Sequence, residues 1–210
     1  MLALFFTTLA SLFTVVNPLG AVPVYLAMTS QYTRAERTHL ARTTSMYFVL
    51  ILLSFFLAGM LILNFFGISL NALRIAGGLI ILHSGYGLLN GVFADRRAIS
   101  KEVEEEAQHK QDISFTPLAM PLLSGPGSIS LLIGMFVENK DWVIRGVIIG
   151  VIFAMGVIVY LILRSAPYLF RVLGASGLQA MSRVMGFLVM SIGIQYIIAG
   201  LVSLVQSLLQ

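Results

Sequence analysis

The chain has 210 residues, 58% of them hydrophobic and only 10% charged, with a mean hydropathy of +0.95. Soluble domains carry about 25% charged residues, so this balance excludes an ordinary cytosolic enzyme, a disordered chain and a fibrous protein. The absence of cysteine excludes a disulfide scaffold, a thiolate metal site and a cysteine nucleophile, and the net charge of +4 reads as a topology signal with no nucleic-acid partner.

Six apolar segments follow in chain order: Ala3–Met28, Ser45–Phe66, Leu73–Phe93, Ser114–Val137, Trp142–Leu163 and Arg183–Leu208. Each is long enough to cross a hydrocarbon core of ~30 Å as a helix. No ten-residue alternation points to a β-barrel. The predicted fold class is all-α, a polytopic membrane protein with six transmembrane helices. No Lys or Arg precedes the first segment, so it reads as a permanent span rather than a cleaved leader.

The connections set the orientation. Three alternate ones hold ten basic residues, among them Arg34, Arg37, Arg42, Arg96, Arg97, Arg164 and Arg171. The other side holds only Arg74, Lys140 and Arg145. The positive-inside rule then places a multi-pass protein in the cell (inner) membrane with both termini outside. The longest connection carries six acids against four bases and reads as a solvated cytoplasmic linker over 94–112.

Six spans divide into two sets of three, residues 1–93 and 113–210. Pro18 and Pro126 lie 108 residues apart. Arg74-Ile75-Ala76-Gly77 and Arg183-Val184-Met185-Gly186 lie 109 residues apart. Three is an odd number, so the second copy enters from the opposite side and the repeats are inverted, a common plan among secondary transporters.

The first span of each set is interrupted near its middle. Val16-Asn17-Pro18-Leu19-Gly20 fits a new helix start, with Asn17 as N-cap and Pro18 in the first turn. Ser124-Gly125-Pro126-Gly127-Ser128 fits a second, with Ser124 or Gly125 as cap and Pro117 and Pro121 upstream. A half-helix start exposes backbone N–H groups and the positive end of a helix dipole, which inside a membrane call for an anionic partner such as a carboxylate.

The charge inventory narrows the ligand. All nine acids lie in connections or at span ends, and no span holds a deep arginine. A small zwitterion fits. Its carboxylate would meet the half-helix N-termini, and its ammonium would meet freed carbonyls, the Asn17 amide or the Ser124 hydroxyl. Asn17, Pro18, Gly20, Ser124, Gly125, Pro126, Gly127 and Ser128 are therefore the candidate substrate-binding residues. His83, Arg74, Arg183 and Gln195 are the candidates for coupling or gating. Ser54, Ser84 and Ser191 are further mid-span polar residues. Gly146 and Gly150 form a GxxxG pattern that predicts close helix packing.

Enzymatic readings find little. A Ser128–His83 dyad lacks an orienting carboxylate, and His39, His83 and His109 are dispersed. No phosphate loop, metal site or cofactor is expected, and the chain reads as a non-enzyme.

Four ordered motifs then carry a resemblance: Asn17-Pro18-Leu19-Gly20-Ala21-Val22-Pro23-Val24, Arg74-Ile75-Ala76-Gly77-Gly78, Pro117 to Gly127, and Arg183-Val184-Met185-Gly186. Together they resemble the MarC family of bacterial and archaeal integral membrane proteins across essentially the whole chain. The resemblance implies six spans. It also implies transport of small neutral amino acids such as alanine and glycine, and kinship with LysE-like exporters. The motif positions carry over as pocket and hinge elements. The expected function is a secondary transporter of small neutral amino acids, one repeat rocking against the other. A small-solute channel, an exporter of other metabolites or drugs, and a non-transporting scaffold are the alternatives. The lipid bilayer is a necessary partner. H+ or Na+ as coupling ion and a homo-oligomer both stay open.

Overall fold

The computed structural model of the chain describes residues 1–90 and 113–208. The linker at 94–112 and the end of the third segment lie outside the described residues. Among these residues every regular element is helical. In chain order they are α1 (Leu2–Val16), α2 (Pro18–Met28), α3 (Arg34–Phe66), α4 (Leu70–Leu89), α5 (Ser114–Leu123), α6 (Pro126–Glu138), α7 (Trp142–Arg164) and α8 (Ala166–Leu208). Helices α3, α4, α7 and α8 are each long and apolar enough to cross a membrane. The pairs α1–α2 and α5–α6 pass the same test as bent units, with angles of 40° and 65°. By length and composition the described residues therefore hold four to six candidate membrane spans.

The helix ends follow their local chemistry. Thr33 and Glu36 form a reciprocal capping box at the start of α3. That bond holds the Glu36 carboxyl below the usual range, because the Thr33 N–H stabilises its charged form. Gly67, at φ +63°, closes α3 in the left-handed conformation that a residue with a Cβ adopts only at a cost. Ser69 caps α4 and Asp141 caps α7 through side-chain oxygens. The apolar reading caught only the lipid-facing part of α3. Residues 34–44 are polar yet helical, so 33 residues extend ~50 Å, beyond the hydrocarbon thickness. α8 is likewise longer than the sixth predicted segment and is broken at Gly174, which sits at φ +64°.

Packing forms two buried clusters of unequal size. The larger buried cluster draws on α1, α2, α3, α5, α6 and α7, with Leu12, Tyr25, Phe48, Phe56, Leu132 and Met155 at its centre, and takes in Ala166 and Leu178 from the first part of α8. A second, smaller cluster of Ile81, Leu88 and Val189 belongs to α4 and α8. Lipid gives apolar helices no hydrophobic reason to associate, so close backbone approach through small residues has to hold such a pair. α4 and α8 show this directly. A Cβ at Gly78 would lie 2.7 Å from the Gly193 carbonyl oxygen, and one at Gly85 would lie 2.7 Å from that of Gly186. The predicted close contact through Gly146 and Gly150 is absent among the described residues. A Cβ on Gly146 would meet none of their atoms within 4 Å, and one on Gly150 would meet only the Phe5 ring at 4.0 Å. The tight glycine of α7 is Gly156, set against Val49 of α3.

The matched motifs of the two halves occupy unlike surroundings. Gly77 faces Ser130 on α6, whereas Gly186 faces Gly85 on α4. Arg74 forms an ion pair with Glu138 of α6. Arg183 is exposed and makes no ion pair among the described residues.

Candidate functional site

Both helix interruptions open onto one cavity of about 390 Å³. Asn17 reaches it from the first break, and Gly125, Pro126, Gly127 and Ser128 reach it from the second. α4 contributes Ile80, Ile81, Ser84 and Leu88, and α8 contributes Val189. Pro117 and Pro121 of α5 complete one side. The cavity therefore lies between the two buried clusters, bounded by side chains of both.

The first break is closed by one residue. Asn17 ends α1 and starts α2 in the left-handed conformation, φ 46° and ψ 62°. Asparagine tolerates this region better than other side-chain-bearing residues. Its N–H bonds back to the Phe13 carbonyl at 2.8 Å, and its Oδ1 accepts the Gly20 N–H at 3.2 Å. Gly20 leaves room for the amide, since a Cβ there would collide with Asn17 Nδ2. The amide oxygen is thus committed to its own helix. Nδ2 is a buried donor with no partner, on a residue only 5% exposed. An unmatched buried donor costs about 1–3 kcal/mol, which a ligand acceptor would relieve.

The second break has no such closure. α5 is irregular, with extended backbone at Thr116 and Met120 and cis bonds before Pro117 and Pro121. Gly125 takes the N-cap position of α6 at φ −76°, ψ 167°, and supplies no side-chain bond. The Ser128 hydroxyl donates back to the Gly125 carbonyl at 2.9 Å, so it does not cap the helix amides. The first rung of the α6 ladder is Ile129 N–H to Gly125 C=O at 3.2 Å. The N–H groups of Gly127 and Ser128 precede that rung, and both residues face the cavity. They stand at the positive end of a helix of 13 residues.

The other candidate residues are placed differently. Pro18 and Gly20 are buried beside Asn17 but do not line the cavity. Ser124 is fully buried behind the lining, its Oγ without a partner. His83, Arg183 and Gln195 are exposed on the outer faces of α4 and α8, away from the cavity. Arg74 lies at the α4–α6 junction, paired with Glu138. Ser84, one residue beyond His83, is the polar group of α4 that reaches the space. The apolar wall of Ile80, Ile81, Leu88 and Val189 carries no chemical signal in sequence, since each is one aliphatic residue among many. Among the described residues no group of three or more His, Asp or Glu side chains could hold a metal ion.

Comparison with known proteins agrees with the motifs. The family model described as "MarC family integral membrane protein" matches residues 2–205. A UPF0056 membrane protein of Buchnera aphidicola from Schizaphis graminum is 38% identical, over 98% of this chain and 93% of its own. A UPF0056 membrane protein of Methanocaldococcus jannaschii is 37% identical, over 94% and 95%. The UPF0056 inner membrane protein MarC of Escherichia coli O1:K1 is 35% identical, over 91% and 90%. No solved structure matches. The chain belongs to the MarC family.

Proposed function

We propose that this MarC-family membrane protein is a secondary carrier of a small neutral amino acid of glycine or alanine size. The observation that carries this reading is the convergence of two donor sets on one cavity with no ionisable side chain in its lining. The α6 N-terminus offers uncapped amides, and Asn17 offers an unpartnered Nδ2. Both suit a carboxylate. A cation would find no carboxylate there. A zwitterion brings its own counter-charge, and its ammonium can donate to the hydroxyl oxygens of Ser84 and Ser128. The volume of about 390 Å³ lies near the lower end of small-molecule sites, ~300–1,000 Å³.

The small α4–α8 cluster, separate from the main one across the cavity, supports a carrier over a fixed pore. Alternating access in our reading moves the α4–α8 pair against the rest, opening the cavity to either side. This replaces motion of one sequence half against the other, because α4 and α8 come from different halves. By the positive-inside rule the end of α3 with Arg34, Arg37 and Arg42 and the end of α7 with Arg164 face the cytoplasm, and both termini face outward in the inner membrane. His83 faces away from the cavity, so we favour an ion held by backbone carbonyls at the breaks, such as Na+, over proton transfer through this histidine.

Counterflow tests the proposal. Proteoliposomes of the purified protein are loaded with unlabelled glycine, alanine or serine, and entry of labelled glycine is followed. Transient accumulation above equilibrium is expected. Flat traces across the panel would sink the substrate assignment. Flux that never saturates and never overshoots would establish a channel instead.

A further inference from the structure

A second concavity lies outside the transport cavity, on the surface between α3 and α7. Its floor is apolar and tight. Ser45 and Val49 of α3 close on Gly156 of α7, and Met46, Leu50, Phe153 and Val157 form its rims. The four rim residues are all exposed, with Phe153 at 54% and Val157 at 57%. The hollow measures about 620 Å³, is open along its length and ends at Arg42 and Tyr160. A second hollow continues from those same two residues and adds Arg34, Thr38 and His39.

The register explains the arrangement. Positions 34, 38, 42, 46 and 50 form one stripe of α3, polar for its first three residues and apolar for the rest. Positions 153, 157, 160 and 164 form the facing stripe of α7, apolar first and cationic last. Arg164 donates to the Tyr160 hydroxyl at 3.0 Å, so a third guanidinium borders the cluster. Among the described residues no acid balances these charges locally. Glu36 is the only carboxylate in α3 and is bonded to the Thr33 N–H, and α7 contains none. The guanidinium groups of Arg34 and Arg42 make no hydrogen bond or ion pair with any described residue. Arg37, by contrast, is committed to the carbonyls of Thr29 and Ser30.

We propose that this groove is a binding site for an anionic phospholipid, with an acyl chain along Met46, Val49 and Val157 and the phosphate at Arg34, Arg42 and Arg164. Charge complementarity identifies the occupant. A groove that is apolar at membrane depth and cationic at the interface matches a lipid with an anionic headgroup, and basic pockets between helices at that level hold such headgroups. A zwitterionic lipid would satisfy the apolar half only. The site is independent of the transport reading, since it shares no residue with the transport cavity.

The test is native mass spectrometry of the full-length protein released from detergent micelles doped with phosphatidylglycerol or phosphatidylcholine. Preferential retention of one phosphatidylglycerol is expected, undiminished by millimolar inorganic phosphate. Arg34→Gln with Arg42→Gln should weaken that retention about thirtyfold, from two lost interfacial cations. Val157→Trp fills the groove from an exposed position, leaves every charge in place and should also reduce retention. Arg171→Gln removes a basic residue that lines neither hollow and should leave retention unchanged. Equal retention of both lipids, or displacement by free phosphate, would overturn the proposal. So would full retention in both the double-arginine variant and Val157→Trp. Retention that appears only after Glu102, Glu104, Glu105 and Glu106 are changed to Gln would assign the arginines to the chain's own acidic segment and also overturn it.

Discussion

The two helix interruptions solve one problem in opposite ways. Each leaves backbone amides inside a membrane protein, where no bulk water can satisfy them. At the first, asparagine bends the chain by 40° and turns its own amide oxygen onto the Gly20 N–H. At the second, glycine bends the chain by 65° and contributes no side chain at all. The first break seals itself and retains one spare donor. The second stays open toward the cavity. A half-helix start is therefore not by itself an anion site. What matters is whether the residue before the proline carries its own acceptor.

Converting the second break into the first kind should have the largest effect. Gly125→Asp places a carboxylate at the N-cap of α6. The backbone there, φ −76° and ψ 167°, accepts any residue, and the new Cβ would lie 3.3 Å from the Pro121 carbonyl oxygen. The carboxylate would occupy the amides that the proposed substrate would use and would repel its carboxylate. Counterflow should fall about a hundredfold, the worth of one charge-assisted hydrogen bond of ~1.5–3 kcal/mol. Gly125→Ala adds the bulk without the acceptor and should retain most activity. Equal loss in both variants would show that space, not capping, governs the site.

Opening the first break should cost stability more than transport. Asn17→Ala removes a cap worth ~1 kcal/mol and places a Cβ residue without a local hydrogen bond at φ 46°, which costs a further ~1–2 kcal/mol. Loss of the unmatched Nδ2 offsets part of this, and a net drop of about 1–2 kcal/mol should appear in denaturant unfolding of the purified protein. Asn17→Asp separates the two roles. It keeps an acceptor for the Gly20 N–H but replaces the Nδ2 donor with a negative charge that repels the substrate carboxylate, so apparent affinity for glycine should fall at least about tenfold. Wild-type affinity in Asn17→Asp would remove Asn17 from the site.

This contrast also marks how far the sequence could be read. Proline at the first helical position after Asn17 and Gly125 located both breaks, because its missing N–H and fixed φ fit only a helix start. The lipid-facing stretches were legible from hydropathy. The polar N-terminal third of α3 was not, since an apolar criterion stops at the membrane surface, although Thr33 and Glu36 spell a capping box. The site was legible only where backbone chemistry is unusual. Ile81, Leu88 and Val189 look like any aliphatic residues until α4 and α8 close on each other through Gly78, Gly85, Gly186 and Gly193. His83 and Ser84 show the same limit. They are adjacent mid-span polar residues, and helix rotation alone turns the serine inward and the histidine outward.

Ser124 supplies a smaller and sharper test. It stands beside the second break, fully buried with an unmatched Oγ, yet behind the lining. Removing an unsatisfied hydroxyl should leave stability unchanged or raise it by up to ~1 kcal/mol. Ser124→Ala should also transport normally. Loss of counterflow in a stable Ser124→Ala protein would mean that the hydroxyl turns toward substrate in another state, and the boundary of the site would have to move.

The smallest stability effect is expected where the far end of the second break meets α4. The Arg74–Glu138 ion pair joins α4 to the last residue of α6, with Glu138 45% exposed at its side chain. Such a pair contributes little in solvent, so Arg74→Gln should lower stability by less than ~1 kcal/mol. Its consequence for transport should be larger than its consequence for folding. α6 presents its uncapped amides to the cavity at one end and is tied through this pair to the α4–α8 body at the other. If that body moves during transport, the pair biases which state is populated. Arg74→Gln should then change the rate of glycine exchange while leaving apparent affinity near wild type. The charge-swapped double variant, Arg74→Glu with Glu138→Arg, should move the rate back toward normal. Exchange rates equal to wild type in both variants would mean that α6 and α4 keep their relation throughout the cycle, and the moving boundary would then lie elsewhere in the bundle.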